Sequence, residues 1–388
     1  MSQETLQMSG SERKRLIVMH QVQSGDLLLK QAALEIGISI RQAIRIKKRF
    51  DAGGAEGLLH CSRGMPSHHQ KSAEFKCRVL EVYEERYADF GPTLAAEKML
   101  EHEGIVVDHE TLRRWLIAKR LWISGGEGRV HRAKRKRRER FGELLQIDGS
   151  VHLWFEDRGE ECTLMVLVDD ATGRIALHMA RQETTRDALL VLEKWVKKNG
   201  VPVAIYADRR SLYFTKAFVD EPLRRKDPAV FTEFMKVTDR LGIEMIPAYS
   251  PQAKGRVERV NGTLQDRLVK EFRLRGISTV EEANEMLDDY ADDYNRRFQR
   301  PPARQADAHR HAPRTREEWD YYFCTEQPRV VQKDNTVTCK NNQWQILPQS
   351  DAPRPGSRVV LRSPLKGEPF WVWKDKRLRT RFLGQARQ

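Results

Sequence analysis

Three acidic residues in this chain stand where carboxylates could bind metal ions. Asp148 follows the apolar run of ELLQIDGS, and Asp208 follows the run of VAIYADRRS, as carboxylates at strand ends do. Glu258 lies in SPQAKGRVERVNGTLQ, near the start of a predicted helix that is rich in Lys, Arg, Gln and Asn. Mg²⁺ prefers oxygen ligands, and two such ions ~3.5–4 Å apart can hold one phosphate group. The three acids together therefore predict a two-metal site for phosphodiester chemistry.

The overall charge points to a polyanionic partner. Among 388 residues, 69 are Lys or Arg and 55 are Asp or Glu, giving a net charge of +14 and a sequence pI near 9.6. Such an excess favours nucleic acid over a membrane surface. No apolar run approaches the ~20 residues that span a bilayer, and the N-terminus lacks the apolar core of a signal peptide. We expect a cytoplasmic, nucleoid-associated protein of two to four domains with no membrane partner.

The cysteines predict neither disulfides nor a zinc finger. There are five cysteines, an odd count with no CxxC pair, so reduced thiols are expected. Cys61, His68, His69 and Cys77 have a spacing that fits no common zinc finger. A loop with incidental histidines is the favoured interpretation.

The core that must position the acids is predicted over 143–298, with mixed α/β texture. ELLQIDGSVHLWF, CTLMVLVDD and RIALHMAR read as three strands joined by turn-rich connectors. A helix over TTRDALLVLEKWVKKNG follows, and then the buried strand VPVAIYAD, a helix, the strand IEMIPAYS and two long helices. In this order, Asp148 and Asp208 end strands and Glu258 lies on a helix.

The N-terminal region, 1–60, predicts a helix-turn-helix unit. A short helix ends at Gly37, and Ser39 can cap a basic helix that runs to about Phe50. A plain helical hairpin in a protein interface is the alternative. Its predicted core is Ala33, Ile36, Ile38, Ala43 and Ile46, and its outward side chains for DNA are Arg41, Gln42, Arg45 and Lys48.

A second helical unit, predicted over 72–127, repeats this layout but not its residues. Its last helix starts after Asp108, with Arg113 and Arg114 as DNA-binding candidates and Lys119 and Arg120 adding charge. A Gly-rich stretch from Asp51 precedes it, within which 61–71 is the linker proper.

The densest basic run, 128–142, predicts an extended linker that follows DNA, and a solvated tether is a compatible alternative. Its DNA-binding candidates are Arg132, Lys134, Arg135, Lys136, Arg137 and Arg138. Residues 299–320 are rich in Pro, Arg and Ala and predict a further linker, and 321–388 predict a small antiparallel barrel-like β domain.

The element order and the local motifs together resemble a known family. QIDGS, YADRRS and YSPQAKGRVERVNGTLQ are similar to the motifs of the integrase catalytic core shared by retroviral integrases and DDE transposases, which has a ribonuclease-H-like fold. The whole chain most resembles bacterial insertion-sequence transposases of the ISNCY type, which also carry helix-turn-helix units, a basic linker and a β-rich C-terminal domain.

The resemblance implies an enzyme, a DDE-type polynucleotidyl transferase dependent on two Mg²⁺ ions, with Mn²⁺ as a substitute. Asp148 would bridge both ions, and Asp208 and Glu258 would each bind one. The expected partners are double-stranded DNA, as element ends and as target, and further copies of the chain in a dimer or larger synaptic complex; no small-molecule cofactor is expected. The alternatives are a metal-dependent nuclease of the same fold that does not join strands, and a DNA-binding regulator with an inactive core.

On the helix that carries Glu258, the same face presents further polar residues. We expect Lys254, Arg256, Asn261 and Gln265 to contact DNA, and Val257, Val260, Leu264 and Leu268 to form the core stripe. The acids of DDATG, Asp169 and Asp170, are interpreted as turn residues rather than ligands.

The chain departs from the family's pattern after Asp208. Arg209 stands where many relatives have Asn followed by Gly, and an insertion over 209–230 lengthens the connection to Glu258. A contact with DNA or another subunit and a plain surface insertion are equally compatible with its charged sequence.

Overall fold

The computed structural model describes residues 6–60, 70–123, 135–249, 255–374 and 376–385. Its internal contacts divide the chain into two compact units, Met1–Ile123 and Ser124–Gln388. Within the described part of the chain, no helix is long and apolar enough to cross a membrane.

The first unit begins with three helices, α1 (Gly10–Ser24), α2 (Leu29–Ile36) and α3 (Ile40–Gly53). Gly37 ends α2 in the left-handed region at φ +78°, and the Ser39 hydroxyl accepts from the Gln42 N–H to cap α3. The expected short turn between α2 and α3 is therefore present. Residues buried between the three helices are Val18, Met19, Ala32, Ile46, Phe50 and Leu58.

Part of the Gly-rich stretch after Phe50 is not linker. Helix α3 continues to Gly53, and a 3-10 turn over Glu56–Leu58 places Leu58 in the core of the three helices. The glycines mark the end of α3, but the segment after them is not all linker. Leu58 is buried there because removing an apolar side chain from water is favourable. Residues 61–69, with Cys61, His68 and His69, lie outside the described ranges.

Three more helices complete the first unit: α4 (Ala73–Arg86), α5 (Pro92–Glu103) and α6 (His109–Ala118). Pro92 starts α5 at its first turn, and the Asp108 carboxylate caps α6 by accepting from the N–H groups of Glu110 and Thr111. Helix α6 ends at Ala118, so Lys119 and Arg120 lie in the turn that follows it.

The second unit is built on a mixed sheet of five strands in the order β3-β2-β1-β4-β5. The strands are β1 (Leu145–His152), β2 (Cys162–Asp169), β3 (Ile175–Ala180), β4 (Ala204–Ala207) and β5 (Glu244–Pro247). Strands β1, β2 and β3 are antiparallel neighbours, whereas β4 pairs in parallel with both β1 and β5. The predicted element order is therefore present.

Helices cover both faces of this sheet. They are α7 (Thr185–Asn199), α8 (Lys216–Asp220), α9 (Glu233–Arg240), α10 (Val257–Arg275) and α11 (Val280–Phe298). Helices α7 and α9 pack on the face that carries Leu145 and Ile147, and α10 and α11 pack on the opposite face. Strand β2 alternates between the two cores and is buried along its whole length.

The insertion over 209–230 is part of the first of these cores. Tyr213, Phe214, Phe218 and Val230 are buried with α7 and α9, and the Thr215 hydroxyl donates to the Val230 carbonyl at 2.5 Å. The charged residues of this segment obscured four apolar ones, of which only Phe218 lies in the short helix α8. The interpretation as a plain surface insertion is wrong.

Both predicted linkers of this unit lie against the core where they are described. Phe141 contacts Trp195 and His309, and His309 accepts a hydrogen bond from the Trp195 indole at 3.0 Å. Arg310 pairs with Val201 through backbone hydrogen bonds. The composition of these two segments predicted linkers. Contacts with aromatic rings of the core hold their described parts in place.

The C-terminal part is β-rich, as expected, and follows a short helix, α12 (Arg316–Tyr322). Its strands are β6 (Cys324–Val330), β7 (Thr336–Cys339), β8 (Asn342–Ile346), β9 (Arg358–Pro364), β10 (Phe370–Trp373), β11 (Lys376–Arg377) and β12 (Thr380–Gln385). They form two antiparallel sheets, in the orders β11-β10-β9-β6 and β12-β8-β7, around the buried Trp371.

Candidate active site

Two of the three acids lie side by side on neighbouring parallel strands. The register pairs Leu145 with Ile205 and Gln146 with Tyr206. Asp148 lies two residues beyond Gln146, and Asp208 lies two residues beyond Tyr206, so both acids occupy the same level of the sheet. Neighbouring strands are separated by about 4.8 Å, and residues two apart share a face. The structure therefore places Asp148 and Asp208 beside each other at this level of the sheet.

Helix α10 is joined to β1 through two side-chain amides. Asn261 donates from Nδ2 to Asp148 Oδ2 at 3.1 Å, and one turn later Gln265 donates to the Ser150 hydroxyl at 3.1 Å. We expected both amides to contact DNA, and this stays a prediction; in the structure one N–H of each side chain is bonded to β1. This face of α10 is polar because its amides bond to residues of β1.

Glu258 lies in the first turn of α10, one turn before Asn261, and is exposed. Within the described ranges, no group of three or more His, Cys, Asp and Glu side chains is close enough to hold a metal ion. Asp148 and Asp208 are thus brought together, whereas Glu258 is on the helix attached to Asp148 without closing a three-acid cluster. Lys254 lies outside the described residues.

A fourth acid, Glu183, lies beside the pair, and sequence reasoning missed it. A Cβ on Gly149, the residue after Asp148, would be 2.8 Å from the Glu183 carboxyl carbon, so any larger residue there would displace the Glu183 carboxylate. Glu183 comes between β3 and α7, in a segment whose sequence carries no signal for a site.

Arg210 joins this fourth acid to Asp208. The guanidinium lies 2.9 Å from Asp208 Oδ2 and 2.5 Å from Glu183 Oε2, and the Tyr213 hydroxyl donates to the other Glu183 oxygen at 3.2 Å. Burial raises the pKa of Tyr213 well above its usual value, and the carboxylates of Glu183, Asp208 and Asp148 raise it further. The phenol is therefore a hydrogen-bond donor in this acidic surrounding.

The donor set suits a hard divalent cation. Asp148 and Asp208 supply carboxylate oxygens, and Asn261 Oδ1 is buried without a hydrogen-bond partner. A buried carbonyl oxygen with no donor is costly unless something else pairs with it. The Arg210 guanidinium already places a positive charge between Asp208 and Glu183. Oxygen ligands and a demand for positive charge are the conditions that Mg²⁺ meets.

The turn after β2 carries two fully buried acids with different roles. Asp169 accepts from the N–H and hydroxyl of Thr172 and from the Gly142 N–H, which is the turn chemistry that the sequence predicted. Burial raises the pKa of Asp169. Asp170 is not merely a turn residue, because it accepts from Arg135, from the Arg138 N–H, from Gln146 and from Arg256.

Three of the expected DNA-binding residues make internal contacts here, and their DNA contact stays a prediction. Arg135 and Arg256 pair with Asp170, and Arg137 donates to the Asp170 and Ala171 carbonyls. A run of Lys and Arg looks the same in the sequence whether it binds DNA phosphates or a buried carboxylate. Composition alone could therefore not distinguish these two roles.

The other candidates remain on the surface or beyond the described residues. The exposed ones are Arg41, Gln42, Arg45, Lys48, Arg114, Lys136 and Arg138, while Arg113 is half-buried and pairs with Glu110. Arg132 and Lys134 lie outside the described ranges.

Comparisons with known proteins show which proteins this chain is similar to. The Integrase core domain family matches residues 239–301. The chain is 43% identical over 304 residues to a Sinorhizobium fredii protein assigned as a transposase, y4bF, covering 78% of this chain and 65% of the relative. It is 30% identical over 325 residues to the transposase for insertion sequence IS1202 of Streptococcus pneumoniae, covering 74% of this chain and 68% of the relative. The chain thus spans about two thirds of the length of these relatives.

Solved structures also show likeness at low similarity. The HTLV-2 integrase catalytic core domain in complex with magnesium has a TM-score of 0.29 at 18% identity, over 38% of this chain and 84% of that one. The simian T-cell lymphotropic virus intasome has a TM-score of 0.33 at 16% identity, over 80% of this chain and 99% of that one.

A mixed sheet with acids on its neighbouring parallel strands, helices on both faces and a helical N-terminal unit defines a multidomain protein with an integrase-like, ribonuclease-H-like core. Proteins of this class are DDE-type polynucleotidyl transferases that depend on divalent metal. The chain belongs to the insertion-sequence transposase family.

Proposed function

We propose that this chain binds the terminal inverted repeats of its mobile element, cleaves the DNA ends and transfers the 3′-OH strands to target DNA. The observation that carries the proposal is the parallel register that sets Asp148 beside Asp208, with Asn261 bonded through its amide N–H to Asp148 and its Oδ1 buried without a hydrogen-bond partner. Its similarity to named transposases supports the same conclusion.

In the proposed site, Asp148, Asp208 and Glu258 hold two Mg²⁺ ions, which Mn²⁺ can replace. When bound, these ions supply Lewis-acid stabilisation of the attacking and leaving oxygens of a phosphodiester. Asn261 orients the Asp148 carboxylate through its amide N–H. Arg210 would compete with a bound metal for the Asp208 oxygens, since its guanidinium occupies one of them in this structure. Water and a DNA 3′-hydroxyl are alternative nucleophiles at one site, so hydrolysis and strand transfer share these residues.

The DNA contacts are assigned to exposed cations. In this proposal α2 and α3 form a helix-turn-helix whose Arg41, Gln42, Arg45 and Lys48 reach bases and phosphates. Helix α6, through Arg114, contributes to a second such unit, and Lys136 and Arg138 contact phosphates from the basic linker. Two element ends must be held together for joining, so the active form is a dimer or a larger synaptic complex.

The test is a reaction with labelled element-end DNA and Mg²⁺, in which cut and joined strands are mapped. Asp148→Asn, Asp208→Asn and Glu258→Gln each abolish cleavage while end binding is retained, since none of the three changes touches the helical unit. Asp157→Asn, an exposed acid in the β1–β2 connection, is the matched control and keeps activity. Full cleavage by any one of the three site variants overturns the assignment.

Pre-cut ends separate the proposal from its alternatives. A transposase joins them to target DNA, whereas a nuclease of the same fold leaves them unjoined. Binding of ends with neither cleavage nor joining under any metal would instead indicate a DNA-binding regulator with an inactive core.

A further inference from the structure

Asp170 lies at the junction of three elements that surround the site. Its side chain is fully buried, next to the buried polar residues Asp169 and Gln146. A buried carboxylate is stable only when its oxygens are paired with donors and its charge is balanced. Asp170 meets this demand with donors from the basic linker, from β1 and from the segment that begins α10.

The connection to β1 and α10 runs through Gln146. Its Nε2 donates to Asp170 Oδ1 at 2.9 Å, and its Oε1 accepts from the Val257 N–H at 3.3 Å. Gln146 points away from solvent two residues before Asp148, and Val257 is the residue before Glu258. One amide therefore ties the strand of the first acid to the helix start of the third.

Arg256 makes a second connection to the same helix start. Its Nε donates to Asp170 Oδ1 at 2.7 Å, and its Nη2 donates to the Arg135 carbonyl at 3.2 Å. The Arg256 side chain is 13% exposed, so its charge depends on Asp170 for balance. The two residues that precede Glu258 are thus both held, directly or through Gln146, by one carboxylate.

We propose that Asp170 is a positioning residue that fixes the start of α10, and with it Glu258, relative to Asp148. The inference rests on the proposed role of Glu258 as a metal ligand. Helix α10 is also attached at Asn261 and Gln265, but those contacts lie one and two turns further along. The Asp170 cluster sets the first turn, where an exposed Glu258 otherwise has freedom to move.

A purely structural role for Asp170 makes a different prediction. Loss of a buried ion-pair partner would lower the free energy of unfolding but leave the metal affinity of the folded molecules unchanged. A positioning role lowers the metal affinity of folded protein and does so only while Glu258 is present. Residues that orient metal ligands typically contribute about 10- to 100-fold to metal affinity.

The experiment is Mn²⁺ titration of the full chain by calorimetry, at a temperature where circular dichroism shows each variant to be folded. Asp170→Asn keeps the side-chain shape and removes the charge, and it is expected to weaken Mn²⁺ binding about tenfold. Glu258→Gln is expected to weaken it as well, and the double variant to bind no more weakly than Glu258→Gln alone, because coupled residues are non-additive. Asp157→Asn is the control and leaves the affinity unchanged.

Gln146→Met provides a milder test, because it removes the amide bridge and leaves the buried ion pairs in place. It is expected to weaken Mn²⁺ binding in the same direction by a smaller factor, so the proposal stays testable even where Asp170→Asn is unfolded. Wild-type affinity in both variants, or effects of Asp170→Asn and Glu258→Gln that simply add, would overturn the proposal. If Glu258→Gln alone keeps wild-type Mn²⁺ affinity and cleavage, the metal-ligand role of Glu258 itself fails.

Discussion

Asn261→Asp is the substitution that most directly tests whether the Asp148 pocket is built for a cation. It keeps the shape of the side chain and replaces the donating amide with a second carboxylate oxygen, 3.1 Å from Asp148 Oδ2. Asn261 Oδ1 is buried without a hydrogen-bond partner, so the new carboxylate gains no donor at that oxygen. The variant therefore brings two like charges together in a site that is largely shielded from solvent.

The magnitude follows from the geometry. Two unit charges 3.1 Å apart repel by about 5 kcal/mol at an effective dielectric constant of about 20. Protonation limits this cost, since keeping a carboxyl group with an ordinary pKa near 4 protonated at pH 7 requires about 4 kcal/mol. With roughly 2–4 °C per kcal/mol for a unit of this size, we expect the melting temperature in EDTA to fall by roughly 10 °C.

The assay is thermal melting at pH 7 in EDTA and then with Mg²⁺ or Mn²⁺. A bound cation removes the repulsion, so the metal should raise the melting temperature of the variant more than that of the wild type. The deficit should also shrink below about pH 4, where both carboxyl groups are protonated in the unfolded chain, and grow as pH rises.

Asn295→Asp is the matched control. Asn295 is as buried as Asn261, at 5% against 8%, but bonds the Ile175 backbone away from the site. It should lose stability without recovering it in metal. The reasoning is refuted if Asn261→Asp melts within about 2 °C of the wild type in EDTA, or if metal raises both variants equally.

Two further predictions concern the linker and the thiols. Replacing the exposed Lys136 and Arg138 by Ala should lower the slope of log affinity for DNA against log salt by about 2, because each phosphate contact contributes about 0.9. Alkylation with iodoacetamide at pH 8, followed by peptide mass spectrometry, should label the exposed Cys77 and spare Cys162, since burial raises the pKa of Cys162 to about 11.

Each of these has an internal comparison. Substituting the two arginines of the linker that pair with the core, Arg135 and Arg137, should lower thermal stability and change the salt slope less. An unchanged slope in Lys136→Ala/Arg138→Ala would mean that this end of the linker is only a tether. Labelling of Cys162 at the rate of Cys77 in folded protein would contradict its burial at the start of β2.

The position of Asp208 could be predicted because its signal is local: an apolar run that stops at a carboxylate marks the end of a buried strand, and Asp208 directly follows β4. The same prediction is wrong for Asp148, which lies within β1, because the strand continues through it to His152 as the partner of β2. The core stripe of α10 was also predictable from a local signal, since helical spacing marks Val257, Val260 and Leu264 as one face. Periodicity within one element is enough for these inferences.

The remaining contacts could not be predicted because their partners are distant in the chain. DDATG predicts a turn, and Asp169 fulfils it, but Asp170 depends on Arg256, 86 residues away. Glu183 becomes part of the site because it pairs with Arg210, 27 residues later, and because the glycine after Asp148 leaves room for it. A polar side chain on the face of a helix has the same sequence pattern whether it contacts DNA or, like Asn261, a neighbouring strand.

The parallel pairing of β1 with β4 also has a consequence for the order of events during synthesis. The first unit ends at Ile123, whereas Asp148 and Asp208 can come together only after β4 has been synthesised, and Glu258 comes later still. At roughly 5–20 residues per second, a ribosome takes on the order of ten seconds to pass from one to the other. The helical unit proposed to hold DNA is therefore complete on the nascent chain well before the acids can meet. A transposase made beside its own gene would have time to find DNA before it becomes able to cut it.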